Sequence, residues 1–181
     1  MGPDLMRLAA HRLAGDASRM IRNATDADWP AIWPFFREIV TARETYAYDP
    51  ELTEEQARAL WMSPSPNSRT TVAVDADGTV LGSANMYPNR PGPGSHVASA
   101  SFMVDSAARG KGVGRQLCED MIDWAGRSGF RAIQFNAVVE TNESAVHLWQ
   151  ALGFTIIGTV PEAFDHPKHG YVGLHVMHRP L

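Results

Sequence analysis

Between Ala100 and Arg115 the chain reads A-S-F-M-V-D-S-A-A-R-G-K-G-V-G-R, and this stretch narrows the fold more than any other. Phe102 to Val104 is the apolar end of a strand. Arg109-Gly110-Lys111-Gly112-Val113-Gly114 then puts three glycines and two cations into six residues. A helical pattern follows at once, with Val113, Leu117, Met121, Ile122 and Ala125 on one face. The unit is therefore strand, Gly-rich turn, helix. Such a turn presents backbone N–H groups beside the positive end of a helix, a setting that suits an anion and above all a phosphate. Two phosphate-binding patterns are excluded. No Lys-Ser or Lys-Thr follows the glycines, as a P-loop requires, and Gly110-x-Gly112-x-Gly114 has the wrong spacing for the dinucleotide fingerprint. On the local pattern alone, a plain strand-to-helix turn with solvated cations stays open.

The spacing Arg109-x-x-Gly112-x-Gly114 resembles the pyrophosphate loop of the GCN5-related N-acetyltransferases, the GNAT superfamily, which bind acetyl-CoA. Downstream, Asn142-Glu-Ser-Ala145-Val-His-Leu148-Trp149-Gln-Ala-Leu-Gly153-Phe154 is similar to that family's second motif, N-x-x-A-x-x-L-Y-x-x-x-G-F. The motifs occur in the family's order, about thirty residues apart. The resemblance implies an α/β (mixed α+β) fold: a mixed, mostly antiparallel central sheet, splayed between strands 4 and 5 and flanked by helices. It also implies that acetyl-CoA lies in the splay as acyl donor and that a small-molecule amine is the acceptor.

With 181 residues the chain suits one domain, expected over residues 20–181, with residues 1–19 as an N-terminal extension of unassigned role. Sixteen basic against twenty acidic residues give a net charge of −4, with no Lys/Arg block, so nucleic acid is not expected as a partner. No apolar run approaches a membrane span, and no charged-then-apolar leader is evident, so the cytoplasm is the expected compartment. The single Cys118 falls in a helical pattern and reads as a structural thiol. A homodimer is compatible with the sequence.

Taken in order, strands are expected from Met20, over Thr70–Val74, Val80–Tyr87, His96–Val104, Arg131–Val139, Phe154–Val160 and Tyr171–Met177. Helices are expected after Thr25-x-x-Asp28, after Thr53-x-x-Gln56, from Val113 to about Arg127, and from Asn142 to Gly153. Pro34 is expected to bend or interrupt the first helix. Pro161 to Gly170 is expected as a polar loop.

The resemblance assigns the diphosphate to Arg109, Gly110, Lys111, Gly112, Val113, Gly114 and Arg115, and the pantetheine arm to backbone groups of Phe102, Met103 and Val104. Asn142 reads both as an N-cap and as a pantetheine contact. Trp149 stands where many family members carry a tyrosine that protonates the leaving thiolate. An indole N–H lacks that acidity, so Trp149 is not the acid, and packing is its expected role beside the cofactor. Asn136, in the mostly apolar strand Ile133-Gln134-Phe135-Asn136-Ala137-Val138, and Glu140 are the candidate catalytic residues. Asn136 also resembles the strand asparagine of fungal azetidine-2-carboxylate and proline acetyltransferases. The second substrate asparagine of that group corresponds to Ser99 here, which weakens any transfer of substrate identity. Glu44, Asp165, His166 and His169 are lesser candidates for a base. The four histidines from His166 to His178 lack a ligand-like spacing, so no metal is expected. A non-catalytic acyl-CoA sensor and a protein or peptide N-acetyltransferase remain the alternatives.

Overall fold

The computed structural model describes residues 19–62 and 65–181. Nearly all of the expected extension, residues 1–18, lies outside the described residues. The strands are β1 (Met20–Asn23), β2 (Arg69–Val74), β3 (Val80–Pro88), β4 (Val97–Val104), β5 (Ala132–Val139), β6 (Thr155–His166) and β7 (Gly170–Pro180). The helices are α1 (Trp29–Ala42), α2 (Glu54–Trp61), α3 (Val113–Arg127) and α4 (Glu143–Ala151). The strands form one sheet in the order β1-β2-β3-β4-β5-β7-β6. Every pairing is antiparallel except β4 with β5.

Alternation along the strands divides the core. On one face, Ala73, Ala84, Met86, Ala98, Ile133 and Phe135 pack under Val113, Leu117 and Met121 of α3 and Trp149 of α4. On the other, Val72, Val74 and Met103 pack under Trp29, Ile32, Phe36 and Ile39 of α1 and Trp61 of α2. The buried Trp61 indole donates to Ser83 Oγ at 2.9 Å, and Ser83 donates on to Thr71 C=O at 2.8 Å, so α2 is tied to β3 and β2 without an unsatisfied donor.

Two expectations need correction. Pro34 does not interrupt α1, which runs unbroken from Trp29 to Ala42. One lost backbone bond is outweighed by a buried face of six residues, Trp29 to Val40. Pro161 to Gly170 is not a loop: β6 continues to His166, and β7 begins at Gly170. This hairpin hides from sequence reading because β6 is an edge strand exposed from Thr155 to Ala163, with only Phe164 and His166 buried, and its register shifts between Val160 and Phe164, around Pro161.

Candidate active site

The parallel ladder between β4 and β5 is short. Its register covers only Val97 with Ala132 and Ala98 with Ile133; beyond them the strands part. Which backbone groups face the resulting wedge follows from the β3–β4 register. Asn89 N–H donates to Val97 C=O at 2.8 Å, and Asp105 N–H to Leu81 C=O at 3.0 Å. In an antiparallel ladder the narrow pairs recur at every second residue, so the odd-numbered residues of β4 bond to β3. Ala100, Phe102 and Val104 therefore direct their N–H and C=O groups into the wedge. One of them is already engaged: Tyr46 hydroxyl accepts from Phe102 N–H at 2.9 Å and donates to Phe102 C=O at 2.6 Å.

The wedge widens into a cleft of about 920 Å³. At one end stands the Gly-rich turn. Gly110 and Gly112 have φ of 73° and 82°, a conformation that a side chain would strain, and Gly112 caps α3. The first helical bond of α3 is Gln116 N–H to Gly112 C=O at 3.1 Å, so helix geometry leaves the amides of Val113, Gly114 and Arg115 without helical acceptors at the cleft mouth. Arg109 and Arg115 line the same mouth. The Lys111 side chain is exposed and is not among the lining residues.

The opposite end is built from Tyr46, Tyr48, Tyr87, Ser99, Ser101 and Asn136. The Tyr46 and Tyr48 rings stack at 5.2 Å. Burial pushes both phenols above the ordinary tyrosine value, so both are neutral at physiological pH. Asn136 sits where the β5–β7 register slips, between Phe135 and Val138. The bulge turns the strand beside the wedge. Both ends of the Asn136 amide are engaged: it donates to Asn89 Oδ1 at 2.6 Å and accepts from Gln134 Nε2 at 2.8 Å.

The remaining expected residues fall as follows. Asn142 caps α4, its Oδ1 accepting from Ala145 N–H at 3.4 Å, and it lines the cleft. Trp149 is buried among Phe102, Phe135 and Phe154, at ring distances of 5.0, 5.2 and 6.5 Å, and one side of it also reaches the cleft. Glu140 does not join this group. Its carboxylate accepts from Gly173 N–H of β7 at 2.5 Å, and it is not among the lining residues. Glu44 lines the rim but is paired with Lys168 at 2.5 Å, and Asp165 with Arg43 at 3.0 Å, so two ion pairs join the α1–α2 segment to the end of β6 and the turn that follows it. His166 and His169 contact each other at 4.7 Å, whereas His175 meets Thr159 Oγ1 at 2.8 Å. Sequence reading overlooked Tyr87 and Ser101, which line the cleft, and Asn89 and Gln134, which hold Asn136. None sits in a motif, and only the strand register brings them to these places.

A split mixed sheet whose wedge runs into a Gly-rich helix start defines a class of acyltransferases that take the acyl group from an extended carrier. The chain belongs to the acetyltransferase (GNAT) family, whose model matches residues 31–154. It is 28% identical to the N-acetyltransferase aca1 of Schizosaccharomyces pombe, with 91% of this chain and 85% of that protein covered. It is 30% identical to an L-methionine sulfoximine/L-methionine sulfone acetyltransferase of Pseudomonas aeruginosa, covering 80% and 85%. Among solved structures, a GCN5-related N-acetyltransferase from Kribbella flavida superposes with a TM-score of 0.90 at 81% identity, covering 92% of this chain and 99% of that one. A phosphinothricin acetyltransferase from Sinorhizobium meliloti, solved in complex with acetyl-CoA, superposes with a TM-score of 0.79 at 25% identity, covering 91% and 89%.

Proposed function

We propose that this N-acetyltransferase moves the acetyl group of acetyl-CoA to the amine of a small amino acid, imino acid or related compound, within a ternary complex. The observation that carries the reading is the wedge beyond Ala98 and Ile133, continuous with the amides at the start of α3. The names of the Pseudomonas and Sinorhizobium relatives support the acceptor class.

In this reading the amides of Val113 to Arg115 at the turn Gly110 to Gly114, with Arg109 and Arg115, hold the diphosphate, and the exposed Lys111 adds positive charge from outside the lining. The pantetheine arm lies along Phe102, Met103 and Val104 as an added strand, in contact with Asn142 and Trp149. The donor set fits an acyl carrier: strand peptide groups of Ala100, Phe102 and Val104 that face the wedge, an aromatic wall for its methylene chain, and cations at the mouth. Asn136 stands at the reaction centre, where its amide orients the incoming amine or a water that takes the amine's proton. Glu140 serves to hold β7. Chemistry at the acceptor end rests on neutral hydroxyls and amides, and water carries the proton away. Residues 20–181 form one catalytic domain, placed in the cytoplasm beside its acetyl-CoA. A second copy covers the exposed Ile157, Val160 and Tyr171 of the β6–β7 hairpin, making a homodimer.

The test is a screen of amino acids, amines and short peptides for CoA thiol release from acetyl-CoA. Saturable release with a small amine is expected. Release with peptides alone overturns the acceptor class, and acetyl-CoA binding without any release overturns turnover.

A further inference from the structure

Phe102 is a β4 residue whose peptide groups the sheet leaves open, and a side chain from 56 positions earlier closes them. Tyr46 is firmly held for this purpose. Its ring stacks on Tyr48 at 5.2 Å, and Tyr48 stacks on Phe36 of α1 at 6.1 Å. Its phenol stays protonated at any working pH, because burial raises it far above the ordinary value. A hydroxyl that accepts from the N–H and donates to the C=O of one strand residue lies where the next chain along the edge would pair. An acyl carrier following β4 brings its thioester oxygen to that Phe102 N–H. Tyr46 oxygen and that oxygen cannot both occupy the position, yet the O–H remains within reach of whatever replaces it.

We propose that Tyr46 is a second oxyanion donor: when acetyl-CoA binds, its hydroxyl releases the Phe102 peptide and, together with Phe102 N–H, hydrogen-bonds the thioester oxygen. This rests on the acetyl-CoA reading above. In the reaction the amine nitrogen forms a bond to the thioester carbon, and the carbonyl π pair moves onto the oxygen held by the two donors. The carbonyl then re-forms, and the C–S bond breaks with its pair going to sulfur. The proton lost by the amine reaches the thiolate through water, giving the N-acetyl product and CoA thiol. Tyr46 donates throughout and does not ionise.

The test measures the infrared carbonyl stretch of acetyl-CoA labelled with carbon-13 at the acetyl carbonyl, bound to the wild type and to Tyr46→Phe without acceptor. Hydrogen bonds to the oxygen lower the frequency. The wild type is expected to show the lower frequency, and Tyr46→Phe to bind acetyl-CoA as tightly or more tightly, because no phenol competes for Phe102 N–H. With an acceptor, kcat of the variant should fall about tenfold to a hundredfold with little change in the KM for acetyl-CoA. Equal frequencies in the two proteins overturn the proposal while leaving the acetyl-CoA reading intact. A wild type that does not bind acetyl-CoA overturns that reading instead. Should the variant fold poorly, a crystal structure of the wild type with a non-transferable ketone analogue of acetyl-CoA decides. Tyr46 oxygen within hydrogen-bond distance of the analogue's carbonyl supports the proposal, and Tyr46 still bonded to both Phe102 groups overturns it.

Discussion

Gly114 illustrates how one hydrogen in place of a methyl can matter to a ligand and not to the fold. It lies inside α3 with ordinary helical φ, and a Cβ there would meet only Leu148 Cδ2 at 3.6 Å and Val104 Cγ2 at 3.8 Å, both ordinary contacts. The folded chain therefore tolerates alanine, and helix propensity favours it by about 0.5–1 kcal/mol. Val104 and Leu148 both line the cleft, so the added methyl enters the path of the carrier. Gly114→Ala should raise or hold the melting temperature while weakening acetyl-CoA about tenfold by calorimetry. Unchanged affinity in the folded variant would remove the Gly-rich turn from the binding site.

At the scale of elements, the junction of β1 and α1 depends on Asp28. Its carboxylate takes two bonds from Arg22, at 2.7 and 2.8 Å, and one from Thr25 N–H at 2.7 Å. The Arg22 guanidinium, ahead of the Thr25 bonds, holds the carboxyl at about 2 instead of its ordinary 3.8. A depressed carboxyl stabilises the fold fully above the unfolded value and loses that contribution as pH falls through the folded one. The window is thus from about 4 down to about 2, and the contribution is about 1–2 kcal/mol after allowing for the half-exposed Arg22. Urea unfolding of wild type and Asp28→Asn at pH 6 and pH 2 tests this. Their stabilities should differ at pH 6 and converge at pH 2. A constant difference across the two pH values contradicts the assignment.

The whole molecule leaves its β6 edge exposed. Ile157 is 60% exposed and Val160 52%, on a long strand whose outer side has no neighbour among the described residues, and Tyr171 at the start of β7 is 72% exposed. Such an edge invites pairing, and Pro161 with the register slip near it limits how far that can run. If two copies share this surface, light scattering after size exclusion should give twice the chain mass, and Ile157→Glu should give the single chain with its fold intact. A wild type that elutes as a single chain at micromolar concentration removes the dimer.

The sequence by itself determined the succession of elements, the Gly-rich start of α3, the caps at Thr25, Thr53 and Asn142, and the family resemblance. Each of these is written within a few residues, in periodicity, in φ preferences and in short spacings that a local reading can follow. It also showed that Trp149 lacks the acidity of a tyrosine, because that is a property of one side chain. Only the tertiary structure decided which residues meet across the wedge. Tyr46 reaches Phe102 over 56 positions and Asn136 reaches Asn89 over 47, while Glu140, on the same stretch of chain as the cleft-lining Phe135 and Asn136, turns to Gly173. Strand order and a register of period two set those meetings: a slip of one residue on β4 would exchange the groups facing β3 for those facing the wedge. No local pattern encodes that parity, because it is fixed by pairing with strands distant in the chain.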